Sequence, residues 1–283
     1  MAGAGSGDYA SQVRRCYSGR LWSSRATQRH PTGLRQGHSC VTTGPPRSMK
    51  RAVILAGGRG TRLRPYTVAL PKPLVPVGDT PILEIIIRQL VAQEFDRVTL
   101  AVNHQADILR AYFGDGGKLG VDIDYSFERV PLSTMGPLKL IRDLPDDFLV
   151  MNGDILTDLN YAEFMRCHIS QKCSFTVSAA SRNQQIDYGV LQVSEDGLLS
   201  GFEEKPVLPY LVSMGVYCLN KSILDWIPDG KPFGFDQLVV DLITKRQSIH
   251  VIKHAGYWLD IGRPDDYQKA VDDWPSVRAS IES

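Results

Sequence analysis

The sequence predicts an α/β protein in which helices flank an open, mixed and mostly parallel sheet. Three observations lead to this fold class. Apolar runs of strand length alternate with helical patterns from Met49 onward, glycines and arginines directly follow the first run, and strand-like runs succeed one another after Asp154. The chain has 283 residues, of which 43% are hydrophobic and 22% charged, so it can bury an ordinary core.

The first half of the pattern predicts parallel βαβ units. Strand-like runs lie at residues 52–56, 98–103, 121–127 and 148–151. Residues 81–94 place apolar side chains at the i, i+3, i+4 and i+7 spacing of a helix, and Pro81 suits its first turn. Shorter helical candidates lie at residues 107–112 and 138–141. This alternation of strands and helices predicts a largely parallel sheet.

Beyond Asp154 the pattern changes to strands with few helices between them. The strand-like runs lie at residues 174–180, 189–193, 198–203 and 211–219. We therefore expect a mixed sheet, parallel at first and partly antiparallel later. The whole pattern predicts a Rossmann-like open sheet within one domain, residues 49–283.

Residues 1–48 differ in composition from the rest of the chain. They hold seven arginines, no lysine and one acidic residue, Asp8, and they show no apolar periodicity. We expect this tail to be disordered, and we interpret it as an artefact of cloning or start-site assignment because Met49 directly precedes the first strand. A mitochondrial transit peptide is the alternative, since such peptides are also rich in arginine and poor in acidic residues.

The remaining composition excludes several classes of protein. Residues 49–283 hold 25 basic and 30 acidic residues, which argues against nucleic-acid binding by the domain. We expect no membrane association, because no apolar run approaches the roughly 18 residues of a span. The five cysteines show no CxxC and suit neither a disulfide framework nor a zinc site, so we predict reduced thiols in a cytoplasmic enzyme.

The segment after the first strand has the composition of an anion-binding loop. Residues 57–60 read Gly-Gly-Arg-Gly, and Arg62 and Lys72 follow. A dinucleotide fingerprint would need glycine at Leu63, and no Gly-Lys-Ser/Thr of a P-loop follows. Glycines let backbone N–H groups approach phosphate oxygens, the basic residues add positive charge, and Pro71 limits the freedom of the chain before Lys72. A turn with solvated basic residues is the alternative.

Five motifs in order resemble the sugar-1-phosphate nucleotidyltransferases. The signature G-G-x-G-T-R-L-x-P-x-T…P-K-P is present without a mismatch at residues 57–67 and 71–73. Further landmarks are N-G-D at residues 152–154, Y-G-V at 188–190, E-E-K-P at 203–206 and W-L-D-I-G at 258–262. The resemblance covers residues 49–267 and implies a nucleotidyltransferase domain. We expect this to be the single domain, with no acyltransferase β-helix and no regulatory domain appended to it.

The resemblance implies an enzyme of nucleotide-sugar biosynthesis. Members join a nucleoside triphosphate to a sugar 1-phosphate and release pyrophosphate, a reaction that depends on positioning and electrostatics. The implied catalytic residues are Arg62, Lys72 and Asp154. The implied nucleotide-binding residues are Leu55, Gly57, Gly58, Gly60, Thr61, Gln105, Ser133, Thr134 and Gly136. The implied sugar-phosphate-binding residues are Gly189, Glu204, Lys205 and Ser213.

The resemblance also implies a metal cofactor. Asp154 follows the strand-like run at 148–151, and Asp260 has a similar position after a strand-like run. A pair of carboxylates together with phosphate oxygens suits Mg²⁺, so we predict that Asp154 and Asp260 are its ligands. Either aspartate alone would more often be a cap or a turn residue.

Two departures from the family pattern concern the substrate pocket. Residues 131–136 read P-L-S-T-M-G where members commonly have P-L-G-T-A-G, and residues 213–215 read S-M-G where others have N-A-G. Met135 and Met214 either point into the core or reshape the pocket. Gln105 is either a base contact, as in some thymidylyltransferases, or a residue at a helix start. The overall motif set favours GTP and a mannose-, heptose- or glucosamine-type phosphate, with dTTP or UTP as the alternative.

A binding function is the alternative from another class. Some family members are catalytically weak subunits that bind nucleotide sugars and regulate an active partner. Such subunits are expected to lose a loop arginine, the P-K-P lysine or a metal aspartate, whereas Arg62, Lys72, Asp154 and Asp260 are all present here. The resemblance further implies a homo-oligomer, because members commonly form dimers or tetramers, although the sequence does not specify the state.

Overall fold

A seven-stranded sheet organises the part of the chain that the computed structural model describes, residues 49–103 and 105–282. The strands are β1 (Arg51–Leu55), β2 (Pro76–Val77), β3 (Thr80–Pro81), β4 (Arg97–Val102), β5 (Asp122–Phe127), β6 (Asp147–Asn152), β7 (Ile155–Thr157), β8 (Phe175–Gln185), β9 (Gly189–Val193), β10 (Leu199–Glu204), β11 (Val207–Asn220), β12 (Ile249–His254) and β13 (Trp258–Asp260). The helices are α1 (Ile82–Ala92), α2 (Ala106–Phe113), α3 (Tyr161–Gln171), α4 (Phe235–Thr244) and α5 (Pro264–Ile281). The prediction of disorder for residues 1–48 lies outside the described residues.

The order of the strands produces a switch point beside β1. The sheet runs β12-β8-β11-β6-β1-β4-β5, and only β11 is antiparallel to its neighbours among these seven described strands. The chain passes from β1 outward to β4 and β5 and then returns to β6 on the other side of β1. Open α/β sheets bind ligands at such a reversal, beyond the carboxyl ends of the strands. The predicted fold class is confirmed.

Two apolar layers cover the sheet. Consecutive residues of β1 point to opposite faces, because side chains alternate along a strand. Ile54 belongs to the cluster that includes α1, α2, α3 and α5, and Val53 belongs to the cluster that includes α4. Both side chains are fully buried, so β1 lies at the centre of the core. Its carboxyl end is therefore a rigid support for the loop that follows it.

The strands that cover residues 175–220 follow one another with no helix between them in this described part of the chain, as the sequence predicts. The sequence did not predict α3, which precedes these strands, or α4 and α5, which follow them. In α3 the buried residues Tyr161, Phe164, Met165 and His168 do follow helical spacing, but two of these four residues are polar or carry a hydroxyl, which weakens the apolar pattern. The candidate at residues 138–141 overlaps a 3-10 helix, Gly136–Leu140, which ends one residue earlier.

Strands β8 and β11 extend beyond the core. β8 is buried from Phe175 to Ala180 and exposed over its last five residues, and β11 begins with exposed residues paired to them. The hairpin of β9 and β10 connects the two strands. We call residues 181–213 the arm. Within the described residues, no helix has both the length and the apolar character required to cross a membrane.

Candidate active site

The loop after β1 is shaped by contacts with Gly60. This residue has φ +62° and precedes a short 3-10 turn, Thr61–Leu63. A Cβ added to Gly60 would lie 3.0 Å from Thr67 Cγ2 and 3.1 Å from Lys72 Cβ. Thr67 Oγ1 also donates a hydrogen bond of 2.7 Å to the Gly60 carbonyl oxygen. Glycine at position 60 therefore allows the basic segment around Lys72 to pack directly on the loop.

The start of the loop contacts the next two strand ends. The Gly57 carbonyl oxygen accepts a hydrogen bond from Asn103 Nδ2 beyond β4. A Cβ added to Gly57 would lie 3.0 Å from Glu128 Oε1 beyond β5. Gly58 instead faces open space, with no heavy atom within 4 Å of an added Cβ. Sequence reasoning missed Asn103 and Glu128 because no motif that we recognised includes them.

Lys72 and Asp154 form an ion pair at the switch point. Lys72 Nζ donates a hydrogen bond to Asp154 Oδ2, and the two side chains are only 10% and 20% exposed. The other carboxylate oxygen, Asp154 Oδ1, is buried and has no hydrogen-bond partner among the described residues. A buried carboxylate oxygen without a partner is costly unless a ligand satisfies it. The geometry therefore leaves one coordination position on Asp154.

Asp260 is brought to Asp154 by the antiparallel pairing of β7 with β13. Asp260 pairs with Ile155, and the Ile261 N–H donates a 3.0 Å hydrogen bond to the Asp154 carbonyl oxygen. Partial removal from water raises the pKa of Asp260, and the Asp154 carboxylate raises it further. The positive charges of Lys72 and Arg62 oppose this rise. The carboxylates thus interact with each other and with two cations.

Arg62 is an exposed residue that lies close enough to Asp260 to interact with its carboxylate. Its guanidinium lies near Gly262, where an added Cβ would be 3.8 Å from Arg62 Nη2. The structure therefore brings together four residues that were predicted from separate motifs, namely Arg62, Lys72, Asp154 and Asp260. We call these four residues the charged cluster. Two cations and two carboxylates at a ligand-binding strand edge can hold phosphate groups and a divalent cation.

The protein supplies few metal ligands of its own. No group of three or more His, Cys, Asp or Glu side chains within the described residues could hold a metal ion. Asp154 and Asp260 are therefore the available pair, and the unpartnered Oδ1 of Asp154 suits a cation. Mg²⁺ commonly takes one or two carboxylates and completes its shell with water and substrate phosphates. The two residues fit that pattern.

Several predicted nucleotide-binding residues also have structural contacts. Thr134 Oγ1 accepts a 2.8 Å hydrogen bond from the Phe235 N–H at the start of α4. Gly136 is buried, and an added Cβ would lie 2.8 Å from Leu132 Cβ. Ser133 is exposed with φ +65°. The segment 133–136 is thus held at the start of α4. It follows β5 in the chain and lines one side of the region beyond the end of that strand.

The remaining predicted nucleotide residues lie around the glycine loop. Leu55 is the last residue of β1 and is half-buried, and Thr61 is exposed at the start of the 3-10 turn. Gln105 is half-buried and directly precedes α2, where its side chain makes no capping hydrogen bond. Its position at the helix start agrees with one of the two interpretations of this residue.

Both unusual methionines are core residues. Met135 is 0% exposed and packs in the cluster with α4, whereas Met214 is 1% exposed and packs in the other cluster. The core interpretation of these residues is therefore confirmed. The adjacent Ser213 is exposed, and its hydroxyl lies 3.1 Å from the Tyr217 hydroxyl.

The predicted sugar-phosphate residues fall in the arm. Gly189 pairs with Glu204 across the β9–β10 hairpin, and Lys205 follows with φ +47°. An added Cβ at Gly189 would lie 2.5 Å from Phe202 Cε2 and 3.0 Å from Glu204 Oε2, so glycine at this strand position leaves room for both side chains. Within the described residues, no hydrogen bond or ion pair joins these three residues or Ser213 to the charged cluster.

Arg182 connects the arm to the strand of Asp260. Its guanidinium lies over the Trp258 ring, 4.6 Å from the centroid, and Nη2 is 3.4 Å from the Trp258 carbonyl oxygen. Trp258 Nε1 donates a 3.0 Å hydrogen bond to the Met214 carbonyl oxygen. These contacts hold β13 against β8 and β11 two residues before Asp260. The contact of Arg182 with Trp258 could not be predicted from the sequence, because an isolated arginine in a strand is usually a surface residue.

Comparisons with known proteins agree with this fold and site. The family model described as Nucleotidyl transferase matches residues 51–276, and the chain belongs to this family. Similar proteins include the mannose-1-phosphate guanylyltransferase catalytic subunit beta of Drosophila pseudoobscura pseudoobscura, 34% identical over 77% of this chain and 60% of that protein. The mannose-1-phosphate guanyltransferase of Yarrowia lipolytica is 35% identical over 77% and 62%. The UTP–glucose-1-phosphate uridylyltransferase of Synechocystis is 31% identical over 78% and 62%.

Solved structures also resemble the chain. HddC from Yersinia pseudotuberculosis is 28% identical with a TM-score of 0.62, over 80% of this chain and 100% of that one. HddC complexed with GMP-PN has 28% identity, a TM-score of 0.60 and the same coverage. The chain spans about 60% of the length of the sequence relatives described above. The family resemblance inferred from the sequence is confirmed.

Proposed function

We propose that this chain transfers the nucleoside monophosphate of GTP to a mannose-, heptose- or glucosamine-type sugar 1-phosphate and releases pyrophosphate. The observation that carries this proposal is the charged cluster at the switch point. Its two cations, Arg62 and Lys72, suit a triphosphate, and its two carboxylates suit a divalent cation. The guanylyltransferase relatives and the structure of HddC with GMP-PN support the choice of GTP.

The chemistry requires alignment of two anions that repel each other. An oxygen of the sugar phosphate attacks the α-phosphorus, a new phosphorus–oxygen bond forms, and the bond to the bridging oxygen of pyrophosphate breaks. Negative charge accumulates on the α-phosphate and the leaving group. Lys72 and Arg62 stabilise this charge through fixed positive groups, and the glycine loop holds the nucleotide with its backbone N–H groups. The remaining nucleotide residues position the nucleoside.

Mg²⁺ is the cofactor that we propose. Asp154 and Asp260 would hold it, with the other positions left for phosphate oxygens and water. When bound, it neutralises charge on the phosphates and helps to align them. Lys72 and Asp154 contact each other in the structure, so binding of metal to Asp154 Oδ1 would leave the Lys72 contact with Oδ2 in place.

The arm is the proposed binding side for the sugar phosphate. Lys205 would bind the phosphate, Glu204 a sugar hydroxyl, and Gly189 would allow the sugar to approach the backbone. Ser213, where β11 leaves the core, would line the same side. Arg182 and Trp258 connect this arm to the strand of Asp260, which supports a role for the arm near the reacting groups.

A UTP-dependent reaction is the second candidate for the base. The similarity to a uridylyltransferase supports it. We further propose that residues 49–283 form the catalytic domain, that the enzyme acts in the cytoplasm on small molecules and binds neither nucleic acid nor membrane, and that it forms homo-oligomers.

Pyrophosphate release tests the proposed function. The assay combines GTP, UTP, dTTP, CTP or ATP with mannose, glucose, heptose and glucosamine 1-phosphates in the presence of Mg²⁺. We expect the highest kcat/KM with GTP and a mannose-type phosphate. If none of the combinations releases pyrophosphate above a no-sugar control, the proposed transfer is wrong.

A further inference from the structure

The strand that carries Asp260 is short and weakly paired. β13 has three residues, and among the described strands it pairs only with β7, which also has three. The two strands form a small sheet separate from the seven-stranded sheet. An isolated pair of strands is only marginally stable. Contacts outside this pair therefore help to keep β13 where the Asp260 carboxylate reaches the charged cluster.

Trp258 connects β13 to the seven-stranded sheet. Its Nε1 donates a 3.0 Å hydrogen bond to the Met214 carbonyl oxygen of β11. This carbonyl lies where the pairing of β11 with β8 shifts register, between Ser213 and Tyr217. Side chains two residues apart point to the same face of a strand, so Trp258 and Asp260 share one face of β13. A contact that holds the indole therefore holds the face that presents the carboxylate.

Arg182 holds Trp258 from the arm. The guanidinium lies 4.6 Å from the centroid of the Trp258 ring, and Nη2 lies 3.4 Å from the Trp258 carbonyl oxygen. Arg182 is paired with Tyr210 in β11, close to the point where the arm leaves the core. No carboxylate among the described residues forms an ion pair with Arg182. The indole ring and the carbonyl of Trp258 are thus the partners of this arginine.

The influence of Arg182 on Asp260 is one of position. Partial removal from water raises the pKa of Asp260, and the charged side chains that also shift it are Asp154, Lys72, Arg62 and Asp266. Arg182 reaches the strand two residues earlier, through the ring and the main chain of Trp258. Its removal should therefore displace the Asp260 carboxylate and leave the charges around that carboxylate unchanged.

We propose that Arg182 is a positioning residue, which holds Trp258 and thereby keeps Asp260 in place to bind a divalent cation together with Asp154. This inference rests on the proposed function, in which the two aspartates hold Mg²⁺. Displacement of β13 removes one carboxylate from the cation, so the apparent affinity for the cation falls with the fraction of molecules in which the strand is held. A cation–π contact at an exposed site changes such an equilibrium by roughly 2-fold to 5-fold.

Binding of Mn²⁺ to the full chain without nucleotide measures the metal site directly. Mn²⁺ shares the preference of Mg²⁺ for carboxylate and water oxygens, and electron paramagnetic resonance counts the ion that remains unbound. Arg182→Met keeps a long unbranched side chain and removes the guanidinium. We expect this variant to raise the Kd for Mn²⁺ by about 2-fold to 5-fold. Asp260→Asn removes a ligand and should raise the Kd further.

A conservative variant and a matched control separate positioning from a general defect. Arg182→Lys keeps the charge and can donate to the Trp258 carbonyl oxygen but lacks the planar guanidinium, so its Kd should lie between those of wild type and Arg182→Met. Arg278 lies over the Trp274 ring in the last turn of α5, 5.9 Å from the centroid. Arg278→Met removes a similar contact and should keep the wild-type Kd. Thermal melting of each variant identifies any that fail to fold.

The order of the Mn²⁺ affinities decides the inference. A wild-type Kd in folded Arg182→Met, or an equal loss in Arg278→Met, overturns it. A wild-type Kd in Asp260→Asn overturns it too, because Asp260 would then not be a ligand. If Arg182→Met fails to fold, a raised Kd in Arg182→Lys supports the inference and a wild-type Kd overturns it. If the expected order is found but no sugar 1-phosphate releases pyrophosphate, the proposed transfer is wrong and the positioning role of Arg182 stands.

Discussion

Lys72 and Asp154 form an ion pair that joins the loop after β1 to the end of β6, although 82 positions separate them in the chain. The pair lies at the switch point of the sheet, and Asp260 and Arg62 lie close enough to influence the same group of charges. Such a pair orders a lysine that the proposed reaction would use, and it also holds Asp154 in a fixed orientation. If the proposed function is correct, the stability of the site and the rate of the reaction depend on the same contact.

Lys72→Ala should affect both the rate and the stability. Removal of a preorganised positive charge at the reacting phosphate should lower kcat by on the order of 10²–10³. It also leaves the Asp154 carboxylate without its partner, which should lower the free energy of unfolding by about 1–3 kcal/mol. Steady-state pyrophosphate release and urea unfolding measure the two effects.

A surface lysine provides the control for this variant. Lys269 pairs with Asp273 on α5 in an i, i+4 arrangement, and its side chain is 58% exposed. Lys269→Ala should change stability by less than about 1 kcal/mol and leave kcat unaltered. An unchanged kcat in folded Lys72→Ala would remove Lys72 from the catalytic residues.

Buried histidines should make stability fall at mildly acid pH. His168 is fully buried with Nδ1 2.7 Å from Thr176 Oγ1, and burial lowers its pKa, although Asp147 opposes this effect. The unfolded chain therefore binds a proton more readily than the folded chain below the unfolded pKa of about 6.5. Stability is fully present above that pH and is lost as the pH falls towards the folded pKa.

The slope of stability with pH measures this effect. Thermal midpoints between about pH 7 and pH 5 should decline less steeply in His168→Asn than in the wild-type protein. Burial also lowers the pKa of His250, so the variant with both histidines replaced should have a flatter profile still. A wild-type slope in the double variant would show that other groups cause the decline.

A chain that begins at Met49 should keep the thermal midpoint and the activity of the full chain. Residues 1–48 have a composition too polar and glycine-rich to bury an apolar core of their own. Differential scanning calorimetry and pyrophosphate release from both forms check this expectation. A lower midpoint or a lower kcat in the shorter chain would assign the tail a role in the folded enzyme.

The sequence predicted the sheet and the charged residues better than it predicted their contacts. A continuous apolar run located β1 and hydrophobic periodicity located α1, because both elements lie in the core. The approach of Asp260 to Asp154 depends on the pairing of two three-residue strands, β7 and β13, which are too short to carry a periodic pattern. The contact of Glu128 with the glycine loop was missed for a related reason, since it follows from strand order and not from the neighbours of Glu128 in the sequence.

The metal pair tests the central claim most directly. If Asp154 and Asp260 hold one Mg²⁺, the two residues act as a unit, and such groups are strongly non-additive. Pyrophosphate release from GTP and mannose 1-phosphate should be measured across a Mg²⁺ titration for wild type, Asp154→Asn, Asp260→Asn and the double variant. We expect each single variant to lose nearly as much kcat as the double variant and to require more Mg²⁺, because an amide is a poorer ligand. Strictly additive losses, or full wild-type turnover in excess EDTA, would contradict the account.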